Sequence, residues 1–118
     1  MAAPIVFFDI AGPDLAAQRD FYAKVFDWSP TPDGRVAAPV HAPLMGAFRA
    51  DSAEKMLYLG VADVTAALAK IVDNGGAIEA ARFEVPGVVV LGLFRDPAGN
   101  RMGLVELDGD QTKIPPPR

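Results

Sequence analysis

Few side chains in this sequence could carry out chemistry. It contains one histidine, His41, and no cysteine, which excludes thiolate nucleophiles, disulfides and a metal site with two histidines. The only serines, Ser29 and Ser52, lie outside the Gly-x-Ser-x-Gly turn that exposes a hydrolase nucleophile. Acid–base chemistry would rest on His41 and a carboxylate such as Asp9, and nothing in the sequence places these two close together.

The composition fits one compact domain. The chain has 118 residues, a net charge of −4, 51% hydrophobic residues and 22% charged residues. Lysine and arginine form no cluster, so we expect no nucleic-acid partner. No apolar run approaches the ~20 residues of a membrane-spanning helix, and Asp9 interrupts the first apolar stretch, so we expect neither a membrane anchor nor a signal peptide. Cytoplasmic residence is the resulting expectation.

The first half of the chain predicts one strand, one helix and a poorly patterned stretch. Ile5–Ile10 is rich in β-branched and aromatic residues and predicts a strand. A helix capped by Asp14 should follow, from Leu15 to about Phe26, although the polar residues Gln18 and Arg19 interrupt its apolar stripe. Four prolines then leave only short edge strands, near residues 35–38 and 44–49.

The second half repeats this order with clearer signals. Residues 56–61 predict a strand, and Asp63 predicts the N-cap of an amphipathic helix that ends at the sequence Asn-Gly-Gly of residues 74–76. Three further strands are predicted at residues 77–84, 88–95 and 101–107. The polar, proline-rich tail from residue 109 to 118 is predicted to be flexible.

Strand, aspartate and helix therefore occur twice, with Asp14 and Asp63 in equivalent places. The pattern is that of two tandem βαβββ modules, at about residues 4–50 and 55–108, within a single domain spanning residues 1–118. Each module is too small to bury both faces of its own sheet, so the two must pair. Strand–helix repetition also arises by chance in α+β proteins, so the pattern alone leaves a true duplication open.

Several motifs resemble one known family. The first half contains FFDI at 7–10, DL at 14–15 and DFYAKVFDW at 20–28, and the second contains VADV at 61–64 and DPAGNRMGLVE at 96–106. In order and spacing these are similar to motifs of the glyoxalase/bleomycin-resistance/dioxygenase superfamily, also called the vicinal oxygen chelate superfamily. The likeness covers nearly the whole chain, and residues 29–43 match poorly.

The resemblance implies an α+β fold in which two tandem βαβββ modules form an open, cup-shaped mixed sheet with the helices outside. The cup holds a small ligand, and a second subunit often completes it, so the resemblance also implies a homodimer. Metal-dependent members place His, Gln or Glu on the first strand of a module and Glu on its last strand. The metal then polarises substrate oxygens.

In this sequence the family's metal positions fall on Phe7, Met56 and Gly103, none of which is a normal ligand for such an ion. Glu106 lies three residues beyond Gly103, so strand alternation should direct it to the opposite face. We therefore expect no metal cofactor. His41 is the only histidine, and its role is left open.

If the metal positions face the cup, strand alternation adds Ile5, Asp9, Tyr58, Arg101 and Val105 to its lining. The predicted ligand-binding residues are Phe7, Asp9, Met56, Tyr58, Arg101, Gly103 and Val105. Each polar member also has an ordinary structural explanation: Asp9 can pair with an arginine, Tyr58 can simply pack, and Arg101 can be solvated. Trp28 is more typical of a core or dimer contact than of a ligand platform.

The unsuitable metal positions and the apolar lining of the cup predict a metal-independent, small-molecule-binding protein of this superfamily, with the ligand unidentified. Two alternatives stay open. One is an enzyme of the same superfamily, a glyoxalase-like lyase or isomerase or a dioxygenase, using Asp9, Tyr58 or His41 as acid–base groups. The other is an interaction protein whose main activity is dimerisation.

Overall fold

The structure is a computed structural model that describes residues 1–118, and it contains two helices and five strands. In chain order these elements are α1 (Leu15–Phe26), β1 (Tyr58–Val61), α2 (Val64–Asp73), β2 (Ala77–Val85), β3 (Val89–Arg95), β4 (Arg101–Asp108) and β5 (Gln111–Thr112). The predicted α+β class with an open mixed sheet is confirmed. Neither helix is long and apolar enough to cross a membrane.

Both helices begin where the sequence predicts. The Asp14 carboxylate accepts a hydrogen bond from the backbone N–H of Ala17, and the Asp63 carboxylate accepts one from that of Ala66, each at 3.0 Å. These bonds satisfy N–H groups that have no partner inside the helix. Helix α1 ends at Asp27, whose φ of 59° is the left-handed conformation that usually selects glycine.

The sheet has the order β1-β4-β3-β2, with β5 paired to β4. Strands β1 and β4 run parallel, with Tyr58 opposite Gly103, whereas β3 and β4 run antiparallel, with Leu93 opposite the same glycine. Elements β1, α2, β2, β3 and β4 therefore form the second predicted module in full.

The hydrophobic core lies between the two helices and one face of this sheet. Its buried members are Phe21, Tyr22, Val64, Leu68, Ile71, Phe94, Met102 and Leu104. Helix α2 approaches the sheet closely at Gly92, where an added Cβ would lie 2.6 Å from Cγ1 of Val64. The alternation of Met102 and Leu104 into this core assigns the residues between them to the other face of the sheet.

In the first module only the helix is regular, and the predictions of strands at Ile5–Ile10, Arg35–Ala38 and Leu44–Arg49 are wrong. No backbone–backbone hydrogen bond joins Ile5–Ile10 or Leu44–Arg49 to the rest of the chain. A strand needs a neighbour with matching donors and acceptors, and the prolines between residues 30 and 43 break the segment that could have supplied one.

The tail beyond β4 contacts the second module. Strand β5 pairs with Leu107 and Asp108, and the buried Pro115 accepts a hydrogen bond from the backbone N–H of Gly87 at 2.9 Å. The Lys113 ammonium lies 3.2 Å from the Glu106 carboxylate. These contacts place the tail against the end of the sheet at which β4 ends and β2 turns into β3.

Candidate functional site

Five of the seven predicted ligand-binding residues lie together beside the sheet face that points away from the helices. Arg101, Gly103 and Val105 alternate along β4, and Tyr58 stands opposite Gly103 on β1. Met56 precedes β1, and its sulfur lies 3.6 Å from Nη1 of Arg101. The parallel pairing of β1 with β4 brings these residues together across more than 40 positions of sequence.

The ring of Tyr58 covers the backbone of Gly103. A Cβ atom added at Gly103 would lie 2.2 Å from Cδ1 and 2.5 Å from Cε1 of Tyr58, far inside van der Waals contact. The Tyr58 ring therefore fills the space that a metal-ligating side chain at position 103 would need.

The guanidinium of Arg101 lies between two carboxylates beside this face. Its Nη1 atom is 2.8 Å from the Glu54 carboxylate, and its Nε atom donates a hydrogen bond to Glu79. Glu79 is also paired with Arg95 at 2.8 Å, and Glu54 with Arg49. The hydrogen bond from Arg101 lowers the pKa of Glu79, and those from Arg49 and Arg101 lower the pKa of Glu54. Both carboxylates are thus held ionised by arginines.

These residues do not fit a divalent metal. The sheet-face residues at the family's metal positions are a thioether, Met56, and a glycine beneath a ring, Gly103, while the third such position, Phe7, carries an aromatic ring. The nearby carboxylates, Glu54 and Glu79, already serve arginines, and no group of three or more His, Cys, Asp or Glu side chains is arranged to hold an ion.

Glu106 lies on the helix side of the sheet, as strand alternation predicts. Its carboxylate accepts hydrogen bonds from the backbone N–H of Val64 at 3.0 Å and from two guanidinium nitrogens of Arg82 at 3.0 and 2.9 Å. The bonds from Arg82, helped by those from Val64 and Lys113, lower its pKa to about 2. Glu106 therefore ties α2 to the sheet and stands apart from the Tyr58 face.

The remaining two predicted residues, Phe7 and Asp9, line a separate cavity of about 610 Å³. This cavity lies between the segment Phe7–Ile10, helix α1 and the loop of residues 28–37. Phe7 and Asp9 are exposed and form its rim, whereas the buried residues Gln18 and Tyr22 form its floor. The structure thus divides the predicted ligand-binding set between two places.

Aromatic rings form one wall of the cavity. The Trp28 ring stacks on Tyr22 with centroids 5.3 Å apart and meets Phe8 edge-on at 5.9 Å. Trp28 also borders the core cluster, so the expectation of a core contact is met, and the same ring faces the cavity. Such a wall offers a planar ligand a rigid apolar surface.

The floor of the cavity is anchored to the turn between β3 and β4. The buried Asp96 carboxylate accepts hydrogen bonds from Nε2 of Gln18 and from the Tyr22 hydroxyl, each at 2.9 Å. Burial, followed by the negative charge of Asp96, raises the pKa of Tyr22 far above its ordinary value, so this hydroxyl stays protonated. Asn100 donates to the same carboxylate oxygen at 2.9 Å within the turn, so the bonds from Gln18 and Tyr22 are the ones that join the turn to the helix.

Two polar atoms in the cavity-lining residues lack a hydrogen-bond partner. They are Oε1 of Gln18 and Nε of Arg19, and both atoms are buried. The Gln18 amide cannot be turned over to solve this, because its nitrogen must face the acceptor-only carboxylate of Asp96. Sequence reasoning did not select either residue, and their interruption of the apolar stripe of α1 was the signal that could have found them.

His41 lies apart from both places. It lines a shallow depression of about 530 Å³ with its neighbours Val40, Ala42, Pro43 and Met45 and with Asp110–Thr112 of the tail. The histidine is exposed, and Asp9 lines the other cavity, so the structure does not bring these two residues into one site.

Solved structures share this fold. A glyoxalase-related enzyme from Fulvimarina pelagi superposes with a TM-score of 0.61 at 17% identity, covering 83% of this chain and 84% of that chain. A glyoxalase/bleomycin resistance protein/dioxygenase family enzyme from Burkholderia phytofirmans superposes with a TM-score of 0.58 at 14% identity, covering 80% of this chain and 91% of that chain. A member of the glyoxalase/bleomycin resistance protein/dioxygenase superfamily from Sphaerobacter thermophilus has a TM-score of 0.57 at 20% identity, covering 91% of this chain and 98% of that chain. At these identities the likeness establishes the fold.

Sequence comparison gives the family. No curated protein matches the chain. The family model described as a glyoxalase-like domain matches residues 5–105, which is most of the chain. The match thus extends through residues 29–43, where the resemblance by motif is poor. The chain belongs to the glyoxalase-like domain family, within the glyoxalase/bleomycin-resistance/dioxygenase superfamily.

Proposed function

We propose that this protein binds a small organic molecule without a metal ion, and that the ligand occupies the cavity beneath Phe7 and Asp9. The observation that carries the proposal is the cavity itself. Its volume of about 610 Å³ suits a small organic ligand, and it combines aromatic walls with a few polar groups on a buried floor. The unsuitable donors at the family's metal positions support the metal-free part of the proposal.

A thermal-shift screen of small organic compounds in the presence of EDTA tests this function. A ligand that binds only the folded state raises the melting temperature by mass action. Ala37→Phe narrows the cavity, and Ala47→Phe, at an exposed residue outside it, is the matched control. We expect compounds that stabilise the wild type to lose their effect on Ala37→Phe and keep it on Ala47→Phe. Stabilisation that is lost on Tyr58→Ala instead would move the site to the sheet face.

The enzymatic alternative, a lyase, isomerase or dioxygenase, needs an acid–base group beside the ligand. Asp9 is the carboxylate at the cavity rim, and the Tyr22 hydroxyl at its floor is held protonated by burial and Asp96. Turnover of a family-type substrate that is lost in Asp9→Asn would favour this alternative. Unchanged turnover in that variant would show that Asp9 is not the acid–base group.

We also propose that a second copy of the chain is the protein partner. Apolar side chains of the first module are largely exposed, with Val6 at 84% and Phe48 at 107% of full exposure. They lie in Ile5–Ile10 and Leu44–Arg49, the two segments that make no backbone–backbone hydrogen bond within the chain. Pairing with another copy would bury these apolar side chains and supply hydrogen-bond partners for the backbone. Sedimentation tests this. Val6→Glu and Phe48→Glu should weaken dimerisation, whereas the control Val88→Glu, at another exposed apolar residue, should not. A wild type that sediments as a monomer would contradict the proposal.

A further inference from the structure

The cavity-lining residues of α1 contribute an unusual pair of polar groups. Gln18 is 7% exposed, and its Oε1 atom can only accept a hydrogen bond, whereas the Nε–H of Arg19 can only donate one. Both atoms are buried without a partner, and buried polar groups in native proteins nearly always have one. The two residues are adjacent in α1 and line the same cavity.

The Gln18 acceptor restricts the ligand. A carboxylate could accept from Arg19, but it has no hydrogen to donate to Oε1 of Gln18. A hydrocarbon would leave both groups unsatisfied. A carboxamide has an N–H donor and a carbonyl acceptor on one planar edge. The donor matches Oε1 of Gln18, and the acceptor matches the Nε–H of Arg19. The aromatic wall of Trp28 and Phe8 suits a flat ring attached to that edge.

We infer that the cavity recognises a planar aromatic carboxamide, whose N–H donates to Oε1 of Gln18 and whose carbonyl accepts from Nε of Arg19. This inference rests on the proposed small-molecule function and specifies the chemical class of its ligand. Binding brings the ligand edge against both atoms by small adjustments of side chains at the cavity floor, since neither atom is open to water.

Trp28 provides a direct readout, because it is the only tryptophan in the chain and it lines the cavity. Its fluorescence should be titrated with benzamide, benzoate and ethylbenzene, three flat probes of similar size. We expect saturable binding of benzamide at least about tenfold tighter than binding of either other probe, since leaving a buried polar group unpaired weakens binding by about that factor.

Two variants separate recognition from folding. Gln18→Leu removes the acceptor together with one hydrogen bond to Asp96, and Asn100→Ala, at a residue outside the cavity lining, removes another side-chain hydrogen bond to the same carboxylate. The preference for benzamide over ethylbenzene should disappear in Gln18→Leu and persist in Asn100→Ala. If Gln18→Leu does not fold, Arg19→Met is the second test, because the Nε atom that it removes bonds no other residue. It too should abolish the preference.

Three results would overturn the inference. Tightest binding of benzoate would show that the arginine charges dominate, and equal binding of benzamide and ethylbenzene would show that the cavity recognises only apolar surface. Either result leaves the proposed binding function standing. Failure of all three probes to change Trp28 fluorescence would reject the carboxamide class, and the thermal-shift screen with Ala37→Phe would then decide the proposed function by itself.

Discussion

The ring of Tyr58 lies over the backbone of Gly103, so that a Cβ atom at position 103 would be 2.2 Å from Cδ1 of the ring. The two residues are directly opposite each other on the parallel strands β1 and β4. Glycine and tyrosine are therefore complementary here, and neither can be changed without consequence for the other.

This relationship predicts a strongly coupled pair of substitutions. Gly103→Ala should lower the free energy of unfolding by about 1–3 kcal/mol, because the new methyl group displaces the Tyr58 ring. In a Tyr58→Ala background the same change should cost far less, since the space is then empty and alanine suits a strand better than glycine. Urea denaturation of the four proteins completes the double-mutant cycle. Equal costs in both backgrounds would show that the ring does not occupy this space.

A second prediction concerns acid stability. Because the folded-state pKa of Glu106 is lowered to about 2 from an ordinary value of 4.5, its contribution is fully present above the ordinary value. It is lost as the pH falls toward 2, since the unfolded state then binds the proton more readily. Glu106→Gln should cost about 2–3 kcal/mol near neutral pH, about half as much near pH ~3 and little near pH ~2.

The measurement is urea unfolding of wild type and Glu106→Gln at a series of pH values from neutral to acidic. Glu84→Gln is the matched control, because Glu84 contacts the same Arg82 at 3.6 Å but is substantially exposed, so it should cost at most about 1 kcal/mol. A cost of Glu106→Gln that does not change with pH would contradict the lowered pKa of Glu106 in the folded state.

A third prediction concerns the end of helix α1. Asp27 adopts a φ of 59°, which glycine accepts without strain, and it places a negative charge at the helix C-terminus. Asp27→Gly should therefore raise the free energy of unfolding by about 0.5–1 kcal/mol. Asp20→Gly, at an exposed position inside the same helix, should lower it by about 1 kcal/mol. Chemical denaturation distinguishes these opposite signs, and a loss of stability in both variants would refute the prediction.

A fourth prediction concerns metals. Protein treated with EDTA and then dialysed should keep its melting temperature when nickel, zinc, manganese or iron(II) is added, because Met56, Gly103 and Phe7 supply no suitable ligand. An ion present at about a hundred times its dissociation constant would add about 2.7 kcal/mol and would be readily detected. Stoichiometric binding of any of these ions by calorimetry would count against the proposed metal-free function.

The sequence by itself determined the local features of this protein. The two helices and their aspartate caps, at Asp14 and Asp63, were predictable because periodicity and capping depend on residues only three or four positions apart. The strands of the second module were predictable for the same reason, and the motifs across both halves indicated the family that the family model confirms.

Only the tertiary structure decided what these elements bring together. The strand predicted at Ile5–Ile10 found no partner, because sheet hydrogen bonds require a second segment whose availability a local pattern cannot reveal. Phe7 and Asp9 consequently line the cavity on α1, apart from Tyr58 and Gly103. The floor of that cavity depends on the hydrogen bond from Gln18 to Asp96, which joins residues 78 positions apart. Contacts at such separations arise from packing of whole elements, and short-range periodicity carries no information about them.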